Sequence, residues 1–208
     1  MRVLGIDPGL RTTGYACLET VAPGVTPRIV EAGVFRLVRG GARGGAAPAG
    51  SDGSRATGLP SIADRLLELD CDFGELLRRT SPGLVAIEGL FAHYRHPATA
   101  IVMGHARGIL LLGARRAQVE IVELKPREVK KAVSGFGGAG KDQVQRTMQD
   151  VFQLVELPTP PDMADAMAIA LCAARRVEAA RREGAGDPSE SRASRAGVRA
   201  SRVPKLSA

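Results

Sequence analysis

The chain has 208 residues, 44% of them hydrophobic, enough for one full domain with a sizeable core and too few for two large ones. No apolar run approaches the roughly 20 residues of a membrane span, and Arg2-Val3-Leu4-Gly5-Ile6 begins without a charged-then-apolar leader, so a soluble, cytoplasmic protein is expected. A formal charge of +7 and a pI near 9.9 favour polyanionic partners, nucleic acid first among them, while three scattered cysteines, Cys17, Cys71 and Cys172, speak against a disulfide framework or a zinc site and read as reduced core thiols.

The N-terminal third reads as β structure. Val3-Leu4-Gly5-Ile6 is a short apolar strand broken by Pro8-Gly9. Residues 12–20 alternate through Thr13, Tyr15 and Cys17, and residues 28–38 follow with Ile29, Val30, Val34, Phe35 and Leu37. The expectation is an antiparallel three-strand meander whose first strand ends at Asp7. From Arg39 to Gly58 the composition falls to Gly, Ala, Ser and Pro, too little apolar surface to offset the entropy of ordering. This stretch is expected to be a flexible insertion, with Arg39, Arg43 and Arg55 either touching DNA or decorating a plain loop.

The pattern then turns helical. Ile62, Leu66, Leu67, Leu69, Leu76 and Leu77 predict one long or broken helix up to Thr80, stopped by Ser81-Pro82-Gly83. Leu84-Val85-Ala86-Ile87-Glu88 is a buried strand that ends in a charge. Residues 98–117 are apolar on nearly every helical face, through Ile101, Val102, Met103, Ile109, Leu110, Leu111 and Leu112, so that helix must be buried. Gly104 and Gly108 lie four apart and admit a close helix, which assigns one face to the sheet and the other to a partner subunit. Residues 119–122 form a further strand, and Pro126 opens a helix over 127–133. After a flexible connector at 135–140, Val144, Met148, Val151 and Val155 give an amphipathic i, i+4, i+7, i+11 series. Pro158, Pro160 and Pro161 precede a last helix from Asp162 to about Arg182, and residues 183–208 are expected to be a disordered basic tail. The order βββ-α-β-α-β-α-α-α describes an α/β domain at 1–182, a mixed sheet of about five strands flanked by helices.

Four carboxylates stand out. Asp7 and Glu88 close apolar strands, where an unpaired charge is costly, and ligands of open α/β sheets gather at strand ends. Asp162 and Asp165 are three apart at a helix start and project from one face. Capping alone accounts for Asp162 but not for Asp165, which precedes the apolar run Ala166 to Leu171. Clustered carboxylates repel and raise one another's pKa values unless a cation intervenes. Oxygen donors suit Mg²⁺ or Mn²⁺, and two such ions can clamp a phosphodiester during in-line displacement.

Four stretches in this order, Leu4-Gly5-Ile6-Asp7-Pro8-Gly9-Leu10-Arg11-Thr12-Thr13-Gly14-Tyr15, Val85 to Phe91, Gly104-His105-Ala106-Arg107-Gly108 and Asp162 to Ala168, resemble the RuvC Holliday-junction resolvases along nearly all of residues 1 to about 176. The resemblance implies a ribonuclease-H-like fold and a homodimer joined through the apolar helix. It implies nicking of two like-polarity strands of a four-way DNA junction, leaving 5′-phosphate and 3′-hydroxyl ends, and work alongside a branch-migration helicase complex. It places Mg²⁺ or Mn²⁺, two per site, on Asp7, Glu88, Asp162 and Asp165. It puts Lys130 and Lys141 near the scissile phosphate, where they would stabilise developing charge; read alone, both are ordinary solvated lysines at helix termini. A DNA face is expected from Arg11, Phe91, Tyr94, Arg95, Arg107, Lys125, Arg127, Lys130, Lys131 and Lys141, with Phe91 stacking on unpaired bases or, alternatively, anchoring its loop in the core. His93 and His96 are expected near phosphate and His105 in a core or interface. The 39–58 insertion and the tail depart from the family pattern. Rival readings are an ATPase of the actin, Hsp70 and sugar-kinase group, for which the chain lacks a second lobe, another ribonuclease-H-like nuclease, and a junction-binding protein without catalysis.

Overall fold

Alternation along β1 (Arg2–Asp7) decides how the rest of the chain is layered. Successive residues of a strand face opposite sides of a sheet. Val3 accordingly enters the core on one face, and Leu4 and Ile6 enter the core on the other. β1 lies at the centre of a five-stranded sheet with the order β3-β2-β1-β4-β5. On one side β2 (Thr12–Glu19) and β3 (Arg28–Arg36) form the expected antiparallel meander; on the other, β4 (Leu84–Glu88) and β5 (Glu120–Leu124) run parallel to β1. The computed structural model describes residues 1–37, 60–89, 97–135, 137–138 and 140–185. The expected insertion at 39–58, the loop carrying Phe91, His93, Tyr94, Arg95 and His96, and the tail from 186 onward lie outside them.

Two helices cover the Leu4/Ile6 face. α1 (Ile62–Thr80) is unbroken and starts at a capping box, in which the Ser61 hydroxyl accepts the Asp64 amide and the Asp64 carboxylate accepts the Ser61 amide. It buries Leu69, Phe73, Leu76 and Leu77, whereas Leu67 points to solvent, contrary to its place in the predicted apolar series. Cys71 on the same helix is exposed, so the expectation of core thiols holds only for Cys17 and Cys172. α2 (Pro97–Arg116) buries Ala106, Leu110 and Ala114 against α1 and the sheet. It is not buried all round: Ile101, His105, Gly108 and Leu112 form an exposed stripe at helical spacing. His105 is therefore outside the core of this subunit. No described helix is long and apolar enough to cross a membrane.

α3 (Pro126–Ser134), α4 (Lys141–Phe152) and α5 (Pro161–Ala185) cover the Val3 face. α4 is shorter than its periodicity predicted. Gln153 adopts the left-handed conformation, and the Leu154 amide turns back to the Gln149 carbonyl at 2.9 Å, which ends the helix. Val155, the last member of the predicted series, lies beyond that stop and is 97% exposed. The buried Gln145 side chain donates to the Pro158 carbonyl at 3.0 Å and fastens the segment that leads into α5. α5 runs past the expected end at Arg182.

α5 lies unusually near the sheet, and glycine is the reason. A Cβ on Gly5 would fall 2.5 Å from the Ala170 amide nitrogen, and one on Gly14 would fall 2.5 Å from the Asp162 carbonyl carbon. Neither distance is tolerable, so both strands need glycine where the helix crosses. The helix meets them with small residues, Ala166, Ala170, Ala173 and Ala174, all buried. Gly5→Ala is expected to destabilise the fold by about 1–3 kcal/mol, the usual range for overpacking a close-packed interior. Urea denaturation measures it; an unchanged midpoint would show that α5 can retreat freely.

Candidate active site

The same alternation that buries Val3 and Gly5 beneath α5 aims Asp7 at that face, and along β4 the parity of Leu84 and Ala86 does the same for Glu88. Ile6 pairs with Ile87 in the parallel register, so the two acids end adjacent strands side by side. The turn after Asp7 is fixed from within. The fully buried Thr13 hydroxyl accepts the Gly9 amide at 3.2 Å and donates to the Gly9 carbonyl. Beyond Glu88, the Gly89 amide donates to the Leu124 carbonyl at 2.8 Å, extending the β4–β5 pairing past the acid.

α5 supplies the other two acids. Asp162 lies in its first turn, and Asp165 follows one turn later with its side chain 24% exposed. Asp162 is not the cap itself, because Pro161 already opens the helix. Its position over Gly14 follows from the close crossing just described.

These groups sense one another. Burial pushes the Asp7 carboxyl well above the ordinary carboxylate range, and the negative charges of Glu88, Asp165 and Asp162 push it further, with Lys141 opposing. Glu88 is raised by burial and by Asp165, against Lys130 and Lys141. Asp165 is raised by burial, opposed first by Lys141, then raised by Asp162. The Lys141 Nζ stands 3.8 Å from the Asp165 Oδ2. Both predicted lysines thus reach the acids, Lys141 from the N-terminus of α4 and Lys130 from α3.

The donor set fits a hard divalent cation: four carboxylates, partly desolvated, in mutual Coulombic range, with two lysines too few to neutralise them. Among the described residues no three acidic, histidine or cysteine side chains close around a single ion. An open arrangement suits Mg²⁺, which keeps several waters and takes one or two carboxylates together with substrate phosphate oxygens. Histidine takes no part at the described positions.

Other expected residues divide by location. Arg11, Lys125, Arg127 and Lys131 are exposed; Arg11 follows the Asp7 turn, and its carbonyl accepts the Leu37 amide at 3.0 Å. Arg107 is paired with Glu123 of β5, and its side chain is 15% exposed. Phe91, Tyr94 and Arg95 fall outside the described residues. Thr13 was not singled out in the sequence, and neither were Gly5 and Gly14, although glycine inside an apolar strand is a recognised sign of a close backbone approach.

Repulsion among the acids has a measurable sign. A carboxyl whose folded pKa is raised subtracts stability as pH climbs through that raised value, because the folded state then gives up a proton that it holds better than the unfolded chain does. At neutral pH without metal the cluster is destabilising. Asp7→Asn is expected to raise Tm in EDTA, by about 2–4 °C for each kcal/mol of repulsion relieved. Mg²⁺ should raise the Tm of the unaltered chain more than that of the variant. Scanning calorimetry checks both, and a lower Tm for the variant in EDTA would contradict the account.

The geometry can be set against known proteins. The family model described as crossover junction endodeoxyribonuclease RuvC matches residues 51–173. The crossover junction endodeoxyribonuclease RuvC of Rhodopirellula baltica is 40% identical over 170 residues, covering 82% of this chain and 84% of that protein. Its counterpart in Moorella thermoacetica is 39% identical over 172 residues, covering 83% and 90%. Among solved structures, Thermus thermophilus RuvC in complex with Holliday junction substrate superposes with a TM-score of 0.70 at 29% identity, covering 86% of this chain and 96% of that one. The yeast mitochondrial resolvase Ydc2, at 16% identity and a TM-score of 0.52, shares the fold. A mixed five-stranded sheet with acids at two central strand ends, a terminal helix completing the set and this breadth of sequence match lead to one conclusion: the chain belongs to the RuvC family of crossover junction endodeoxyribonucleases.

Proposed function

We propose that the chain is a structure-selective DNA endonuclease that resolves four-way junctions by nicking two strands of like polarity. The observation that carries this reading is the meeting of Asp7, Glu88, Asp162 and Asp165 from three elements, with Lys130 and Lys141 against them. The acids would hold Mg²⁺ or Mn²⁺, two per site. When bound, such ions neutralise the carboxylates and polarise the phosphodiester for attack by water. Asp7, nearest the centre of the repulsion, faces the other three acids and would serve both ions. Lys141, on an exposed helix start, is placed to leave Asp165 for the incoming phosphate and hold it while negative charge builds there. Lys130, which also acts on Glu88 and Asp165, would assist it. Attack by water at phosphorus with departure of the 3′-oxygen would leave 5′-phosphate and 3′-hydroxyl ends. Lys125, at the cap of α3, and Arg127 and Lys131 on it are exposed and would suit duplex phosphates, a sequence-independent contribution that falls with salt.

Two cuts on one junction require two sites. The exposed stripe Ile101, His105, Gly108 and Leu112 supports a symmetric pairing of α2 helices. Space is open around Gly104 and Gly108, where an added Cβ would meet nothing within 4 Å. A second copy would fill it.

A synthetic four-way junction and a matched linear duplex, incubated with Mg²⁺, Mn²⁺ or EDTA, test the proposal. Paired nicks are expected on the junction alone and only with metal. Asp7→Asn should abolish cutting while junction binding, followed by gel shift, survives. Lys141→Ala should slow cutting by about 100-fold, the scale for losing one transition-state donor. Binding without cutting under every metal would leave a structural junction protein; cutting of linear duplex at the same rate would point to a nuclease with another substrate.

A further inference from the structure

The Arg107–Glu123 pair performs no function assigned so far, and its setting is specific. Arg107 lies on α2, on a flank of the helix away from the exposed stripe of Ile101, His105, Gly108 and Leu112. Its guanidinium is ion-paired with the Glu123 carboxylate; the Arg107 side chain is 15% exposed and that of Glu123 55%. The Arg107 Nε is fully buried and has no hydrogen-bond partner among the described residues. An ion pair with one partner largely solvated is weak as a source of stability. What such a pair does well is fix one position of two elements relative to each other.

The position that it fixes lies across the sheet from Glu88, one residue along in the strand register. Glu123 is the register partner of Ile87, and Leu124, the following residue, is the partner of Glu88. α2 otherwise meets this face through apolar side chains, Ala106, Leu110 and Ala114 with Val102, Ile109 and Leu111 beside them. Arg107 is the directional contact. We infer that Arg107 is a positioning residue for the nicking reaction: through Glu123 it locks α2 to β5 beside Glu88, so that the helix bearing the subunit-contact stripe and the strand bearing the acid keep one fixed relation. This rests on the resolvase reading above. It replaces the direct DNA contact that the sequence suggested for Arg107.

The test separates positioning from binding and from folding. Arg107→Met keeps most of the side-chain volume and removes the charge, so the fold should persist. Glu123→Gln changes an exposed group and cuts the same link from the other end. Single-turnover nicking of a four-way junction, junction Kd by gel shift and Tm are measured for the unaltered chain, both variants and Arg107→Lys. The expected result is a fall in the nicking rate of about 10- to 100-fold in both variants, the scale of a misplacement of about 1 Å at a reacting centre. Kd should stay within about twofold and Arg107→Lys should recover part of the rate. Rates equal to the unaltered chain overturn the inference. So does a weakened Kd with an unchanged rate, which would return Arg107 to the DNA face. If Arg107→Met fails to fold, Glu123→Gln decides alone. A chain that does not cut in its unaltered form refutes the resolvase reading instead, so the two failures are distinguishable.

Discussion

The distance between α5 and the sheet is the constraint on which the site depends. Two acids are carried by strands and two by a helix, and only backbone-to-backbone approach at Gly5 and Gly14 brings the sets into mutual range. Any side chain at either glycine would lift the helix and separate them. The alanines of α5 are the complement of the same requirement, since larger residues would hold the helix off from its own side. Fold and chemistry are coupled here through volume: an interior packed at the density of an organic crystal has no slack to absorb a methyl group.

That closeness has an electrostatic cost. Asp7, Glu88 and Asp165 are all held above their usual pKa range, first by burial and then by each other. Lys130 and Lys141 offset part of this and leave net negative charge. The rest of the domain supplies the compensation, with an apolar core on each face of the sheet and a capped α1. The chain as a whole is positive, with a formal charge of +7, while the cluster itself is negative. Such a pattern attracts a polyanion while reserving the cluster for cations.

Much of this was legible in the sequence. Alternation in β1 and β4 and the charge at each strand end located Asp7 and Glu88, and the spacing of Asp162 and Asp165 placed both on one helix face. The element order gave the mixed sheet. What periodicity could not give was where helices stop and which faces stay open. Val155 continued the α4 pattern in sequence while Gln153 had already turned the chain away. In α2, hydrophobicity on every side implied full burial, yet Ile101 and His105 lie outward, because apolar character says that a surface wants cover and not which molecule provides it. The pairing of Arg107 was hidden for a related reason. A basic residue in a nucleic-acid-binding chain suggests phosphate, but Glu123 lies 16 positions later in a strand whose register only the fold defines.

The contribution of α5 has a consequence for how such an enzyme comes into being. Of the elements that form the site, the helix bearing Asp162 and Asp165 emerges last from synthesis, after the sheet with Asp7 and Glu88 can already pair. Until α5 docks over Gly5 and Gly14, the emerging chain carries two of the four acids beside an uncovered sheet face. The carboxylate cluster and the core beneath it are completed by one and the same packing event.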